Sequence, residues 1–268
     1  MQSADITLFW IGFWIYLASF MLFSVFAASK RRMTGIAAMS LFSAALVLHT
    51  AGLIARWSIS SHIPMATMYE YSLTMSWVIG VFFIFLVARF RKMGIGIVVS
   101  PVMIIVLVIA SMLPKNASAL MPALQSYWFY IHVSLAAVSE GAFIFASGAG
   151  ALYLLGGRKG RAGSILPSRE LLEEMISRSI RLGYPLFTIG ALFAGAIWAQ
   201  YAWGRFWSWD PKETGALVIW LFYTLVLHQD VRGNWRGSRL AVVSLVGLGI
   251  ILLSFLGNLF LGGLHSYI

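Results

Sequence analysis

The feature that most constrains the fold is a series of eight long apolar runs along the 268-residue chain. A run of about 20 apolar residues can cross the hydrocarbon core of a bilayer as a helix. Only 10% of the residues are charged, which excludes an ordinary soluble core. The sequence therefore predicts an all-α polytopic membrane protein that forms one transmembrane domain over residues 1–268. The predicted spans are roughly 5–29, 34–55, 66–88, 94–113, 126–155, 183–203, 214–230 and 239–261.

The basic residues predict the orientation of these helices. A net charge of +10 would suggest nucleic acid binding in a soluble protein, but here the retention of positive charge in the cytoplasm explains it, and no nucleic acid partner is expected. With alternating helices, 15 of the 19 Lys and Arg residues fall on one side. Only Arg56, Lys115, Arg205 and Lys212 fall on the other. Both termini are therefore predicted to be extracytoplasmic, with the lipid bilayer as the surroundings of the helices. The chain has no cysteine, which excludes thiol chemistry and disulfides within it.

Residues 168–181, SRELLEEMISRSIR, predict a cytoplasmic amphipathic helix between the fifth and sixth spans. Ser168 is a typical N-cap, acidic residues come early, basic residues come late, and apolar residues recur on one face. We expect this helix to pack along the membrane surface, and we assign it no chemistry.

Residues 198–214, WAQYAWGRFWSWDPKET, here called the tryptophan segment, contain six aromatic residues, four of them tryptophan. An interfacial anchor places one or two tryptophans at a helix end, so this number exceeds what anchoring needs. The end of the segment predicts a helix start, with Asp210 as N-cap, Pro211 at the first position and Glu213 completing a capping box. The segment is thus either an outward-facing anchor loop or a platform for a flat aromatic ligand, and its own residues leave both open.

Two histidines favour the platform. Ionisable residues within membrane spans are functional-site candidates, and a rise of about 1.5 Å per residue puts His132 roughly 9 Å below the outer end of the fifth helix. His265 follows the outer end of the eighth, so both lie near the predicted level of the tryptophan segment. Imidazole is a common axial ligand of haem iron, and an aromatic floor can pack against a porphyrin. Arg205 and Lys212 are placed to pair with haem propionates.

The remaining membrane histidines do not form a second pair of ligands by depth. His228 lies roughly 21 Å from the outer face. His49 and His228 differ in depth by about 13 Å, so the two are not expected to bind one iron. Glu70 is predicted near the depth of His49, and Glu140 near that of His228. We therefore predict two hydrogen-bonded pairs, His49 with Glu70 and His228 with Glu140.

Several ordered motifs resemble the cytochrome c biogenesis family CcsA/ResC. They are LQSYWFYIHVSLA around His132, TIGALFAGAIWA, WGRFWSWDPKET and GNLFLGGLHSY around His265, and together they cover the latter half of the chain closely. HTAGLIARW, and Glu70 with the Met-Tyr before it, also look familial. The signature of the family is an outward-facing, Trp-rich WWD domain, which here corresponds to the tryptophan segment.

The resemblance implies a haem-handling subunit of a cytochrome c synthase, with haem b as the substrate. His132 and His265 resemble the family's two outer axial ligands, which hold haem against the WWD domain. His228 resembles the histidine that holds a second haem within the membrane, where the other ligand comes from a CcsB/ResB-type partner subunit. The remaining haem-binding candidates are Trp203, Trp207, Trp209, Asp210, Arg205 and Lys212.

The mechanism implied by the resemblance moves haem outward from His228 to the outer pair of histidines. Reduced apocytochrome c then offers a CXXCH motif, whose two thiols add to the haem vinyl groups, and a thioredoxin-like protein keeps those thiols reduced. Haem lyase activity is expected only in complex with the partner subunit. The expected location is the bacterial plasma (inner) membrane, or a thylakoid membrane. Two alternatives stay open: a haem exporter or chaperone without attachment activity, and a b-type cytochrome for electron transfer.

Overall fold

A computed structural model describes residues 3–117, 119–156, 167–261 and 263–264. Within these ranges all regular structure is helical, and eight helices are long and apolar enough to cross a membrane. The predicted all-α polytopic fold is therefore confirmed. The helices are α1 Ala4–Ser29, α2 Arg32–Ser60, α3 Met68–Phe90, α4 Gly96–Met112, α5 Tyr127–Leu155, α6 Arg169–Phe187, α7 Gly195–Trp203, α8 Pro211–Val231 and α9 Ser238–Phe260.

The helices group into two compact units. The first unit comprises residues 1–119 and 156–171 and contains α1 to α4. The second comprises residues 120–155 and 172–268 and contains α5, most of α6, and α7 to α9. The basic residues Arg158, Lys159 and Arg161, which contribute to the predicted orientation, lie outside the described residues.

A buried group of charges, here called the arginine cluster, joins the helix ends of the first unit. Arg56 near the end of α2 donates to Glu70 in α3 at 2.9 Å and to Asp5 in α1 at 3.3 Å. It also donates to the carbonyls of Lys115 and Asn116, which follow α4, at 2.6 and 2.7 Å. Arg56 is only 1% exposed, and a charge is tolerated at such depth only when it is paired and hydrogen-bonded. This pairing lets α2 run on to Ser60, beyond the predicted end of the apolar run.

The predicted pair of His49 with Glu70 is wrong. The His49 ring contacts the hydroxyl of Tyr16 at 3.5 Å, whereas Glu70 binds Arg56 and accepts the N–H groups of Ala66 and Thr67 at the start of α3. Because α2 ends at Ser60, His49 lies eleven residues from that end, or about 17 Å along the axis. The predicted span ended at residue 55, five residues before the end of α2, so it placed His49 too close to the outer end of the helix.

Helix α6 begins where the sequence predicts but does not end at Arg181. Ser168 accepts the N–H of Leu171 at 3.2 Å, and the predicted apolar face of α6, including Met175 and Ile176, is buried. The helix then continues through Pro185 and a π-helical segment, Thr188–Ala194, into α7. The amphipathic segment and the sixth span are therefore parts of one 35-residue helical stretch.

Polar contacts fasten the first half of α6 to the end of α8 and the start of α9. Asp230 in α8 is fully buried and accepts from Ser177 at 2.7 Å and from Arg181 at 2.9 Å. Glu173 accepts the N–H of Gly237, just before α9, at 3.0 Å. The polar face of α6 therefore holds one end of the second unit together.

Candidate functional site

The tryptophan segment contains a short loop between two well-defined helix ends. α7 stops at Gly204, which has φ +73° and whose N–H donates to the carbonyl of Gln200 at 3.0 Å. This left-handed conformation favours glycine, which ends many helices in this way. α8 starts at Pro211, so only residues 204–210 connect the two helices. The aromatic residues after Gly204 are consequently displayed on a short, tethered loop.

The predicted capping box at the start of α8 is confirmed. Asp210 accepts the N–H of Lys212 at 2.9 Å, and Glu213 accepts the N–H of Asp210 at 3.3 Å. Glu213 also reaches back to Ser208, accepting its N–H at 2.7 Å and its hydroxyl at 3.0 Å. Since Ser208 lies between two tryptophans, the glutamate of the cap also holds the aromatic part of the loop.

The loop presents an aromatic surface rather than burying one. Trp209 is 70% exposed, and its ring lies perpendicular to that of half-buried Trp207, with the centroids 5.7 Å apart. Phe206 is 59% exposed. Trp209 also has φ +60°, a left-handed backbone conformation that costs a non-glycine residue about 1–3 kcal/mol. Backbone strain of this kind is found more often at functional sites, and here it accompanies the exposure of a large indole.

His132 lies against α7, where it stacks on Trp198, the first residue of the tryptophan segment. The half-buried imidazole is parallel to the ring of Trp198 within 6°, with the centroids 5.7 Å apart. Trp198 is buried, donates from Nε1 to the carbonyl of Ala123 at 3.0 Å, and packs edge-on against Trp203 at 5.8 Å. The structure therefore brings His132 together with the start of the tryptophan segment, as the sequence predicts.

The protonation of His132 is set by a backbone carbonyl from the π-helical segment. Nδ1 of His132 lies 2.9 Å from the carbonyl oxygen of Gly190, which can only accept, so Nδ1 carries the proton. In the neutral imidazole the lone pair is then on Nε2, as metal binding requires. Among the described residues, no cluster of three or more His, Cys, Asp or Glu could hold a metal ion.

Two glycines allow this close approach. A Cβ on Gly190 would lie 2.3 Å from Cβ of Leu135 in α5, and a Cβ on Gly195 would lie 2.9 Å from Nδ1 of His132. The π-helical turn between them was not predicted from the sequence. Such turns are frequent at functional sites, and the two glycines five residues apart are its only local signal.

The chain just before His265 also reaches the tryptophan segment. The N–H of Leu264 donates to Oδ2 of Asp210 at 2.6 Å, and Gly263 lies against the same carboxylate. His265 itself lies outside the described residues. Its role as a ligand stays a prediction.

The two predicted cations lie on the same part of the second unit. Arg205 is exposed within the loop, and the half-buried Lys212 has its Nζ 5.9 Å from the ring centroid of Phe255 in α9. Together with the exposed Trp209 and Phe206 of the loop, they suit a flat aromatic ligand with acidic side groups.

His228 is placed well apart from this group. It lies in the last turn of α8, seventeen residues after Pro211 and hence about 26 Å from the start of the helix. Its side chain is exposed, whereas Glu140 is buried, and no hydrogen bond joins the two within the described ranges. The predicted pair of His228 with Glu140 is therefore wrong, because a depth match does not show which helix faces are adjacent.

The fold and the site define a multi-pass helical membrane protein with a histidine and aromatic site at one end of its second unit. Residues 65–265 match the family described as Cytochrome C assembly protein. The cytochrome c biogenesis protein CcsA of Prochlorococcus marinus (strain MIT 9312) is 35% identical over 251 residues, covering 82% of this chain and 81% of the relative. The CcsA of Chlamydomonas reinhardtii is 36% identical over 226 residues, covering 80% and 64%. The chain therefore belongs to the CcsA-type cytochrome c assembly family, and its role lies in cytochrome c maturation.

A solved structure shares the fold. The cytochrome c haem lyase CcmF superposes with a TM-score of 0.72 over 99% of this chain at 17% sequence identity. The present chain spans about half of that protein, 51% of its length. At this identity the likeness concerns the helical architecture alone.

Proposed function

We propose that the chain is the haem-handling subunit of a cytochrome c synthase, which presents haem b at the outer face for attachment to apocytochrome c. The observation that carries the proposal is His132, whose Nδ1–H donates to the carbonyl of Gly190, so that in the neutral ring Nε2 carries the lone pair that a metal ligand needs. Its stacking on Trp198 joins it to the tryptophan segment. An imidazole of fixed tautomer, stacked on a buried indole of a segment that also displays the exposed Trp209, suits an iron porphyrin better than it suits a lipid anchor.

In this site, His132 and His265 are the two axial ligands. Leu264, the residue before His265, is bound to Asp210 of the tryptophan segment, which supports a ligand from this part of the chain. Trp203, Trp207 and Trp209 provide the aromatic floor. Arg205 and Lys212 provide the positive charge that the two propionates of haem require.

A second haem is proposed at His228, with its other axial ligand supplied by a CcsB/ResB-type partner subunit. His228 is exposed on α8 in line with Val218, Leu221 and Leu225, at spacings of three and four residues that suit a packed neighbouring helix. An ionisable side chain facing lipid is costly, so a partner helix that covers it lowers the free energy. Haem would pass from this position outward to the site at His132.

The covalent step balances without an added oxidant. Each of the two thiols of the CXXCH motif adds its sulfur and its hydrogen across one vinyl C=C bond of haem, so two thioether bonds form and no group leaves. The thiols must be reduced, which requires a thioredoxin-like protein indirectly. The chain supplies ligation and orientation, which lower the entropic part of the barrier. The histidine of the CXXCH motif would finally replace one axial ligand. The membrane is the bacterial plasma (inner) membrane or a thylakoid membrane.

Reconstitution tests this function against haem export. The purified chain, its partner subunit and haem are mixed with reduced apocytochrome c, and haem that stays bound after denaturation is measured. We expect covalent product with the CXXCH peptide sequence and none when both of its cysteines are serine. Release of haem to the apocytochrome without any covalent product would instead support a haem exporter or chaperone.

A further inference from the structure

The Asp210 carboxylate makes two separate contacts with two distant parts of the second unit. The side chain is 6% exposed. Oδ1 accepts the N–H of Lys212 in the first turn of α8 at 2.9 Å, whereas Oδ2 accepts the N–H of Leu264, 54 residues further along the chain, at 2.6 Å. Capping a helix requires only one side-chain oxygen. The second oxygen therefore serves the C-terminal segment.

The contact between Leu264 and Asp210 requires glycine at position 263. It has φ +147°, and a Cβ built there would lie 2.4 Å from Oδ2 of Asp210 and 3.1 Å from Cδ of Pro211. Any other residue would therefore push the C-terminal segment away from the carboxylate. The close approach depends on glycine at 263 as well as on an acid at 210.

The other capping box of the protein shows that the cap alone needs no carboxylate. At the start of α3, Thr67 accepts the N–H of Glu70 at 3.2 Å, and the side chain of Glu70 accepts the N–H of Thr67 at 3.4 Å. A hydroxyl thus suffices for the same motif, and serine caps helices about as well as aspartate. The carboxylate of Asp210 adds a second acceptor oxygen, which the N–H of Leu264 uses, and its charge strengthens this hydrogen bond.

We propose that Asp210 is a positioning residue for the axial ligand His265. It acts through the backbone of Leu264, the residue immediately before His265. Glu213 holds the tryptophan side of the loop through Ser208, and Asp210 holds the C-terminal side. This inference rests on the proposed function, in which His265 is the second ligand of the outer haem.

The test compares Asp210→Ser with His265→Ala in the purified full-length chain loaded with haem. Asp210→Ser keeps the cap of α8 and removes the acceptor for Leu264. We expect it to retain the stability of the wild type but to weaken haem binding about tenfold. Its absorption spectrum should move from bis-histidine towards single-histidine ligation, as in His265→Ala, and added imidazole should restore the wild-type spectrum.

A second variant approaches the same contact from its other side. Gly263→Ala leaves Asp210 and the cap intact but should give the same imidazole-sensitive spectrum. Thr67→Ser in the capping box of α3 is the matched control and should leave the spectrum unchanged. A wild-type spectrum in both Asp210→Ser and Gly263→Ala would overturn the positioning role, as would a loss of stability that imidazole does not reverse. If His132→Ala and His265→Ala also keep the wild-type spectrum, the proposed function itself fails.

Discussion

The arginine cluster of the first unit and the tryptophan segment of the second use the same local motif in opposite ways. Each is built around a capping box, Thr67 with Glu70 in one and Asp210 with Glu213 in the other. In the arginine cluster the charged groups bind one another and are withdrawn from solvent, with Arg56 and Glu70 each 1% exposed. In the tryptophan segment the cap supports rings that stay exposed, and Trp209 is 70% exposed.

The difference separates a structural joint from a binding surface. The arginine cluster uses its donors and acceptors to join four helix ends, so it has little left to offer a ligand. The tryptophan segment uses its cap residues and the buried Trp198 for structure, and it leaves the Trp209 indole and the Arg205 guanidinium exposed. Mutations in the first region should therefore alter stability, and mutations in the second should alter haem binding.

The largest effect is expected at the arginine cluster. Arg56→Ala leaves two buried carboxylates and two carbonyls without their donor, which should cost about 3–5 kcal/mol of stability. The measurement is the thermal midpoint in detergent together with abundance in the membrane. Arg89→Ala, at an exposed arginine of α3, is the control and should stay within about 0.5 kcal/mol of the wild type. Equal stability of the two variants would show that the cluster is not a structural joint.

A smaller and mixed effect is expected where His132 meets the π-helical segment. Gly195→Ala places a methyl group 2.9 Å from Nδ1 of His132, so the imidazole must move away from Gly190. We expect about 1–3 kcal/mol of destabilisation from overpacking, and about tenfold weaker haem retention with a changed absorption spectrum. Gly249→Ala, where a new Cβ meets no atom within 4 Å, is the matched control. A wild-type absorption spectrum in Gly195→Ala would argue against His132 as an iron ligand.

At the exposed surface of the tryptophan segment, a mutation should weaken haem binding without lowering stability. Trp209→Ala removes an exposed ring, so stability should change by less than about 0.5 kcal/mol. Loss of one stacking contact, worth about 0.5–1.5 kcal/mol, should speed haem dissociation roughly two- to tenfold. Trp14→Ala removes another exposed indole, 60% exposed on α1, and should leave haem dissociation unchanged. Similar behaviour of the two variants would favour the anchor over the platform.

The smallest effect is expected from the exposed cation. Arg205→Gln should weaken haem binding roughly two- to fivefold, as exposed charge pairs are worth about 0.2–1 kcal/mol. The difference should shrink in about 1 M salt, where screening is strong. Haem titrations at low and high salt measure this, with Arg205→Lys as the charge-preserving control. An effect of the same size at both salt concentrations would argue against pairing with propionates.

The features that were predictable from sequence are the local ones. Apolar run length gave the eight spans, and the capping residues Ser168, Asp210 and Glu213 marked helix starts that the structure confirms. These signals lie within a few residues of the structure that they specify. Helix pairing is different, and both histidine–glutamate pairs predicted from depth were wrong, because depth carries no information about which helices are adjacent.

The features that were missed depend on contacts between distant residues. In the sequence alone, the charge of Arg56 marks the end of an apolar run. Its partners Asp5 and Glu70 are visible only in the structure, so α2 was predicted too short. The contact of Asp210 with Leu264 spans 54 residues and has no local signature beyond the choice of aspartate as a cap. The continuation of α6 through Pro185 depends on the π-helical segment beyond it.

The central claim is an outer haem site in the second unit with His132 and His265 as its axial ligands. The most direct test is haem content by pyridine haemochrome, with the absorption spectrum, of the chain purified as wild type, His132→Ala and His265→Ala. We predict that each variant inserts normally, loses outer haem occupancy and departs from the wild-type bis-histidine spectrum. Wild-type haem content and spectrum in both variants would contradict the assignment.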